Sequence, residues 1–101
     1  MTAPRRSITV FPFPDTALSE EGARAVARWV EVSGRRVVAL DLGGVRRPTA
    51  GGLGRLMALH ARLRDAGGGL TLCNVGAAVY EALQVTRLTE VLDVSRRAPD
   101  G

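Results

Sequence analysis

The chain has 101 residues, enough for a single core, and we expect 1–101 to form one domain with loose ends at 1–6 and 95–101. All 14 basic residues are Arg, against 10 acidic residues, which gives a net charge of +4. No segment approaches the ~20 apolar residues of a membrane helix, and the N-terminus lacks the apolar stretch of a secretion signal. We therefore expect a cytoplasmic protein.

The scarcity of Cys and His limits the chemistry of the chain. Cys73 is the only cysteine and His60 the only histidine, so an internal disulfide is excluded and a zinc site is disfavoured. The arginines occur mostly as pairs at segment ends, and only four aromatic residues are available to stack on bases, so nucleic-acid binding is disfavoured too. We expect no metal and no cofactor.

The N-terminal third predicts a strand followed by a helix. Residues 7–13 have a strand pattern, and Pro12, which cannot donate to a ladder, places this strand at an edge of the sheet. Ser19 precedes two acidic residues, which predicts the N-cap of a helix that runs to about Val32. Trp29 lies on this helix beside apolar residues, and we expect it in the core.

The central stretch has the pattern of a βαβ unit. Residues 37–42 are a near-continuous apolar run, typical of a parallel strand covered on both faces. A glycine-rich turn follows over 43–52, then an amphipathic helix over 53–65 and a second strand over 70–75. Ligands and partners of open α/β sheets usually meet the turn beyond a strand's carboxyl end, so we expect the functional surface at 43–52.

The C-terminal third predicts a helix over 77–84 and a short strand over 91–94. The chain as a whole predicts an α/β domain with a mixed, largely parallel sheet of about four strands flanked by helices.

The turn offers one hydroxyl and several uncovered amides. Thr49 is expected to cap the following helix. Gly51 and Gly52 leave the first-turn N–H groups uncovered, which favours an anion, and Arg46 and Arg47 add positive charge. Capping is the favoured interpretation, and an anion-binding or phosphorylation role is the alternative.

No arrangement of residues predicts catalysis. The turn fits neither a Walker A loop nor the Gly-x-Gly-x-x-Gly pattern. His60 lies on the sheet-facing stripe of the helix, too far along it to serve as a base for Thr49, and is expected to be a packing residue. Asp41 is expected to accept hydrogen bonds from the turn amides. With no acid, base and nucleophile brought together, we expect no enzyme activity.

Four segments, 38–45, 53–56, 63–74 and 80–88, resemble a STAS domain, the fold of bacterial anti-sigma factor antagonists. The resemblance covers roughly 37–94. It implies a regulator of transcription that binds an anti-sigma factor, a serine-protein kinase of the histidine-kinase-like ATPase type, through the turn and helix at 43–63. In phosphorylated members, a phosphoserine in the turn repels that partner.

The turn departs from the phosphorylated pattern of the family. Aligned on Gly52-Leu53, Thr49 lies at the family aspartate, Ala50 at the phosphorylated serine and Gly51 at the second serine. Ala50 cannot accept phosphate, so the resemblance implies binding without the usual serine switch, and Thr49 is the predicted acceptor of any phosphate.

The predicted partner-binding residues all lie in or just after this turn: Arg46, Arg47, Thr49, Ala50, Gly51, Gly52 and Arg55. A second interpretation stays open. In the STAS accessory subunit of lipid-transport ABC systems, a similar Thr-Ala-Gly-Leu turn contacts the ATPase. A non-catalytic signalling scaffold is a further alternative.

Overall fold

The structure, a computed structural model, describes residues 8–97. Its helices and strands alternate for most of the chain, in this order: β1 Thr9–Pro12, β2 Ala17–Leu18, α1 Glu20–Ser33, β3 Val37–Asp41, β4 Arg47–Pro48, α2 Ala50–Asp65, β5 Gly69–Cys73, α3 Ala77–Val85, a 3₁₀ turn Leu88–Glu90 and β6 Asp93–Val94.

Four of the strands form one sheet in the order β1-β3-β5-β6. Every pairing in it is parallel, with Val38 opposite Thr9 on one side and Leu70 on the other. The predicted α/β class with a largely parallel sheet of about four strands is thus confirmed, and β1 lies at the edge, as Pro12 predicts. The short strands β2 and β4 pair with each other in a separate sheet that the sequence pattern did not predict.

One apolar core joins the sheet to the helices. It contains alternate residues of the two central strands, Val38 and Leu40 from β3 and Leu70 and Leu72 from β5. All three helices contribute buried side chains to the same cluster. Because side chains alternate along a strand, a single face of each central strand supplies this core.

The helix ends follow from their capping residues. The Ser19 side chain accepts a hydrogen bond from Gly22 N at 3.0 Å, which confirms the predicted N-cap of α1. Gly34, in the left-handed region at φ 69°, ends that helix. Helix α2 begins at Ala50, three residues before the predicted start at Leu53, because the capping residue is Thr49 and the glycines after it are helical.

Two expectations differ from the structure. Trp29 is 36% exposed rather than a core residue, because α1 buries Val26 and Val30 while Trp29 lies to one side and stacks on Phe11 of the edge strand at 6.0 Å between ring centroids. Residues 95–97 are tied down rather than loose, since Ser95 N donates to Leu72 O and Arg97 O accepts from Asn74 N. The rest of the predicted loose ends, 1–6 and 98–101, lies outside the described residues.

None of the helices in residues 8–97 has the length and apolar character needed to cross a membrane.

Candidate partner-binding site

The second half of the turn is fastened to the segment before α1. Arg46 N donates to Thr16 O at 2.6 Å, and Arg47 and Pro48 of β4 lie in register with Ala17 and Leu18 of β2. These backbone contacts join parts of the chain about 30 residues apart. They hold the turn in one conformation, which lowers the entropy that a partner has to remove on binding.

Thr49 connects the start of α2 to β2, because its hydroxyl both accepts and donates a hydrogen bond. The Oγ1 atom accepts from Gly52 N at 3.0 Å and donates to Leu18 O at 2.6 Å. Thr49 is therefore the N-cap of α2, in extended geometry at φ −131° and ψ 148°, as the favoured interpretation predicts. The Gly52 amide is not uncovered, since this bond satisfies it.

Gly52 is buried against the backbone of β2. A Cβ atom added to Gly52 would overlap the carbonyl oxygen of Leu18. Only a glycine lets α2 approach β2 this closely. Gly52 thus lies beneath the site and allows α2 to pack closely on β2. Ala50 and Gly51 are the exposed residues of the first turn.

A carboxylate from α1 lies over the exposed start of α2. A Cβ on Gly51 would lie 2.8 Å from the Glu20 side chain, and Glu20 Oε2 accepts from Arg55 Nε at 3.0 Å. Arg24 lies 3.9 Å from the same oxygen. The first turn of α2 has no acidic residue of its own, so Glu20 supplies the negative charge that a helix N-terminus favours. Sequence patterns gave no sign of this contact, because Glu20 precedes Arg55 by 35 residues.

The remaining predicted site residues are Arg46 and Arg47. Both are exposed, and they precede Ala50 by four and three residues. Within residues 8–97 neither forms a salt bridge. Hydrogen bonds from Ser19, Ala17 and Thr16 are the main cause of the lowered pKa of Asp15, and the positive charge of Arg47 makes a smaller contribution. The two guanidinium groups leave this end of the site positive.

The first half of the turn is held by Asp41, as expected. Its Oδ1 accepts from Gly43 N at 2.8 Å and from Asn74 Nδ2 at 3.2 Å. Asp41 thereby ties the carboxyl ends of β3 and β5 together. Burial, with a smaller contribution from the Asp41 charge, raises the pKa of the Cys73 thiol, so this thiol stays protonated at neutral pH.

His60 is a packing residue, as its place on the helix indicates. Only 7% of it is exposed, and its Nδ1 accepts from Leu70 N at 3.4 Å across the α2–β5 contact. Its Nε2 has no hydrogen-bond partner among the described residues. In residues 8–97 no group of three His, Cys, Asp or Glu side chains is placed to bind a metal ion.

Most of the predicted residues are exposed. Ala50, Gly51, Arg46, Arg47 and Arg55 are exposed around the start of α2. Thr49 is half-buried and Gly52 is buried, so these two hold the surface in place from below.

Comparisons with known proteins identify the fold independently. The family model described as "Mlab, STAS domain" matches residues 16–93. A search of curated proteins found no match.

Two solved structures share the fold. A sulfate transporter family protein from Wolinella succinogenes superposes with a TM-score of 0.77 at 19% identity, covering 89% of this chain and 77% of that one. A candidate anti-sigma factor antagonist from Thermotoga maritima superposes with a TM-score of 0.71 at 21% identity, covering 85% of this chain and 78% of that one.

Proposed function

The chain belongs to the STAS domain family, and from this premise we propose that it is a protein-binding regulator that docks on an anti-sigma factor through the turn and helix at 43–63. The partner is a serine-protein kinase of the histidine-kinase-like ATPase type. The domain acts by occupying its partner and carries out no chemistry of its own.

One observation carries this proposal: the start of α2 is exposed, positively charged and held rigid from beneath. Ala50 and Gly51 are exposed and have no bulky side chain, and the Glu20 side chain lies beside Gly51, so a partner surface can approach the backbone at Ala50. The bonds of Thr49 and the β2–β4 pairing fix that backbone before binding. The structural likeness to a candidate anti-sigma factor antagonist supports the same type of partner.

Binding in this domain is independent of serine phosphorylation. Ala50 stands where the family carries its phosphoserine, so the unmodified surface is always competent. Thr49 has the only hydroxyl in 43–52 and is the candidate acceptor for any phosphate. Its proton is donated to Leu18 O, so a phosphate on Oγ1 would remove the bond that fastens α2 to β2.

A second candidate function is favoured by the matched family model, whose description names Mlab. In this alternative the same surface contacts the ATPase of a lipid-transport ABC system, and the domain is an accessory subunit. When the alignment is shifted by one residue, Thr49, Ala50 and Gly51 at the start of α2 match the Thr-Ala-Gly of that type of subunit.

Purified protein distinguishes the two functions. We expect binding to at least one histidine-kinase-like anti-sigma factor encoded in the same genome, measured by isothermal titration calorimetry. Failure to bind any of them would reject the first proposal, and co-purification with an ABC ATPase would support the second. Intact-mass analysis after incubation with the bound kinase tests Thr49, and an unchanged mass would reject its role as an acceptor.

A further inference from the structure

The carboxylate of Glu20 joins α1 to α2 beside the proposed binding surface. Its Oε2 atom accepts a hydrogen bond from Arg55 Nε of α2 at 3.0 Å, and Arg24 Nη2 of α1 lies 3.9 Å from the same oxygen. Glu20 and Arg55 are 35 positions apart, so the fold itself brings them together. One carboxylate is thus shared by two guanidinium groups next to the start of α2.

Gly51 provides the space in which the Glu20 side chain lies. A Cβ atom on Gly51 would come within 2.8 Å of Glu20 Cγ and Oε1, and the three nearest atoms it would meet all belong to Glu20. Glycine is a poorer helix former than alanine, and the φ angle of Gly51 is not in the left-handed region. Neither helix propensity nor backbone conformation therefore requires glycine at this position. The side chain that rests on Gly51 explains it.

The contacts that hold Glu20 in place are weak. Its side chain is 52% exposed, and those of Arg55 and Arg24 are 45% and 55% exposed. Ion pairs with this exposure contribute little to stability, because water and salt screen the charges. Rotation about the side-chain bonds of Glu20 moves its carboxylate away from Gly51 while both helices stay in position.

A partner that docks on the start of α2 meets this carboxylate. The Glu20 side chain lies over Gly51, while the neighbouring Ala50 is exposed. A partner surface that closes over this region removes water from the guanidinium groups of Arg55 and Arg24, and a charge taken out of water requires an opposite charge beside it. A carboxylate carried by the partner supplies that charge and leaves the backbone at Gly51 accessible.

We propose that Arg55, with Arg24 beside it, is a recognition site for an acidic side chain of the partner protein, and that Glu20 occupies this site in the unbound domain. On binding, the partner's carboxylate replaces that of Glu20, so one ion pair is exchanged for another. Glu20 is therefore an internal competitor that lowers the affinity for the partner. This inference rests on the proposed function and specifies which group of the partner is recognised.

Calorimetric titration with the anti-sigma factor that wild type binds tests the exchange. Glu20→Gln keeps the size of the side chain and removes its charge, so we expect about two- to fivefold tighter binding, as the strength of an exposed ion pair allows. Arg55→Gln removes the group that receives the partner's carboxylate and should weaken binding about three- to tenfold. A Glu20→Gln variant that binds as wild type does, or more weakly, would overturn the proposal.

Glu21→Gln is the matched control. Glu21 is exposed next to Glu20 in the first turn of α1 and forms no salt bridge within residues 8–97, so the two variants change the net charge equally. The affinity of Glu21→Gln should stay close to that of wild type. A gain equal to that of Glu20→Gln would assign the effect to net charge and would contradict the exchange.

A double-mutant cycle locates the competition at Arg55. In the Arg55→Gln background, Glu20 has lost its closest ion-pair partner and the partner protein has lost the group it recognises. Glu20→Gln should then change the affinity by less than about twofold. The full gain in that background would show that Arg55 is not the recognition site.

The two proposals fail in different ways. If an anti-sigma factor binds and Glu20→Gln leaves that affinity unchanged, the exchange is wrong and the proposed function stands. If no anti-sigma factor binds, the proposed function is wrong, and a hexaglutamate peptide titrated into ¹⁵N-labelled protein still tests the site. A shift of the Arg55 Nε–H signal that saturates at lower peptide concentration in Glu20→Gln than in wild type would support the site, and an unshifted signal would reject it.

Discussion

The two sides of the first turns of α2 differ sharply. On the side of β2, Gly52 lies against the Leu18 carbonyl and Thr49 bonds in two directions, so the surface is closed. On the side of α3, Ala50, Gly54 and Met57 line an open groove. Glycine is therefore used for two opposite purposes within three residues, once to admit the chain's own backbone and once to leave space. The closed side fixes the position of the open one.

The largest effect is expected from Gly52→Ala. The added methyl group overlaps the backbone oxygen of Leu18, which cannot rotate away as a side chain would. Overpacking of this kind costs about 3 kcal/mol in the free energy of unfolding. Urea denaturation followed by circular dichroism measures it. A stability equal to that of wild type would show that the closed side is not tightly packed.

The next effect concerns the hydroxyl that links α2 to β2. Thr49→Val keeps the shape but removes the cap of α2 and leaves Leu18 O without its donor. We expect a loss of about 1–2 kcal/mol in the free energy of unfolding, by the same denaturation measurement. Thr49→Ser is the control and should retain most of the stability. A Thr49→Val variant as stable as wild type would contradict this account of the hydroxyl.

Gly54→Ala should have the opposite sign from Gly52→Ala. Its Cβ meets nothing within 4 Å, and alanine favours a helix over glycine, so unfolding should become less favourable by up to about 1 kcal/mol. The thermal midpoint should rise accordingly. A fall in the midpoint would mean that the groove is narrower than the structure shows, and it would remove the contrast between the two sides.

The smallest effect is expected at the Glu20–Arg55 pair. Both side chains are about half exposed, at 52% and 45%, and exposed ion pairs contribute about 0.2–1 kcal/mol, less at high salt. Arg55→Gln should thus lower stability slightly at low salt and not at all at 1 M NaCl. Arg28→Gln serves as the control, since Arg28 is exposed inside α1, away from the helix ends, and forms no salt bridge within residues 8–97. A loss that persists at high salt would contradict this account.

The sequence pattern was sufficient for the regular elements of the fold. The central βαβ unit is predicted by the apolar runs at β3 and β5 and by the helical spacing of the apolar residues between them. Pro12 predicts the sheet edge. These patterns are local, and each repeats over several residues.

The features that sequence did not predict depend on contacts between distant residues. Strands β2 and β4 have two residues each, too few to show a period. The glycines after Thr49 are typical of a turn in isolation, but in the structure Thr49 caps them as the first turn of α2 and Gly52 packs on Leu18. The groove between α2 and α3 is formed by residues about 30 positions apart, which no window of sequence brings together.

The most direct test of the central claim is the affinity of Ala50→Asp for the histidine-kinase-like anti-sigma factor that wild type binds. Ala50 is exposed at the first position of α2, where a carboxylate favours the helix, so this variant should fold as stably as wild type. Because the charge lies within the docking surface, at the position of the usual phosphoserine, we expect calorimetry to show at least about a tenfold loss of affinity. Wild-type affinity in a folded Ala50→Asp variant would contradict the assignment of this surface as the binding site.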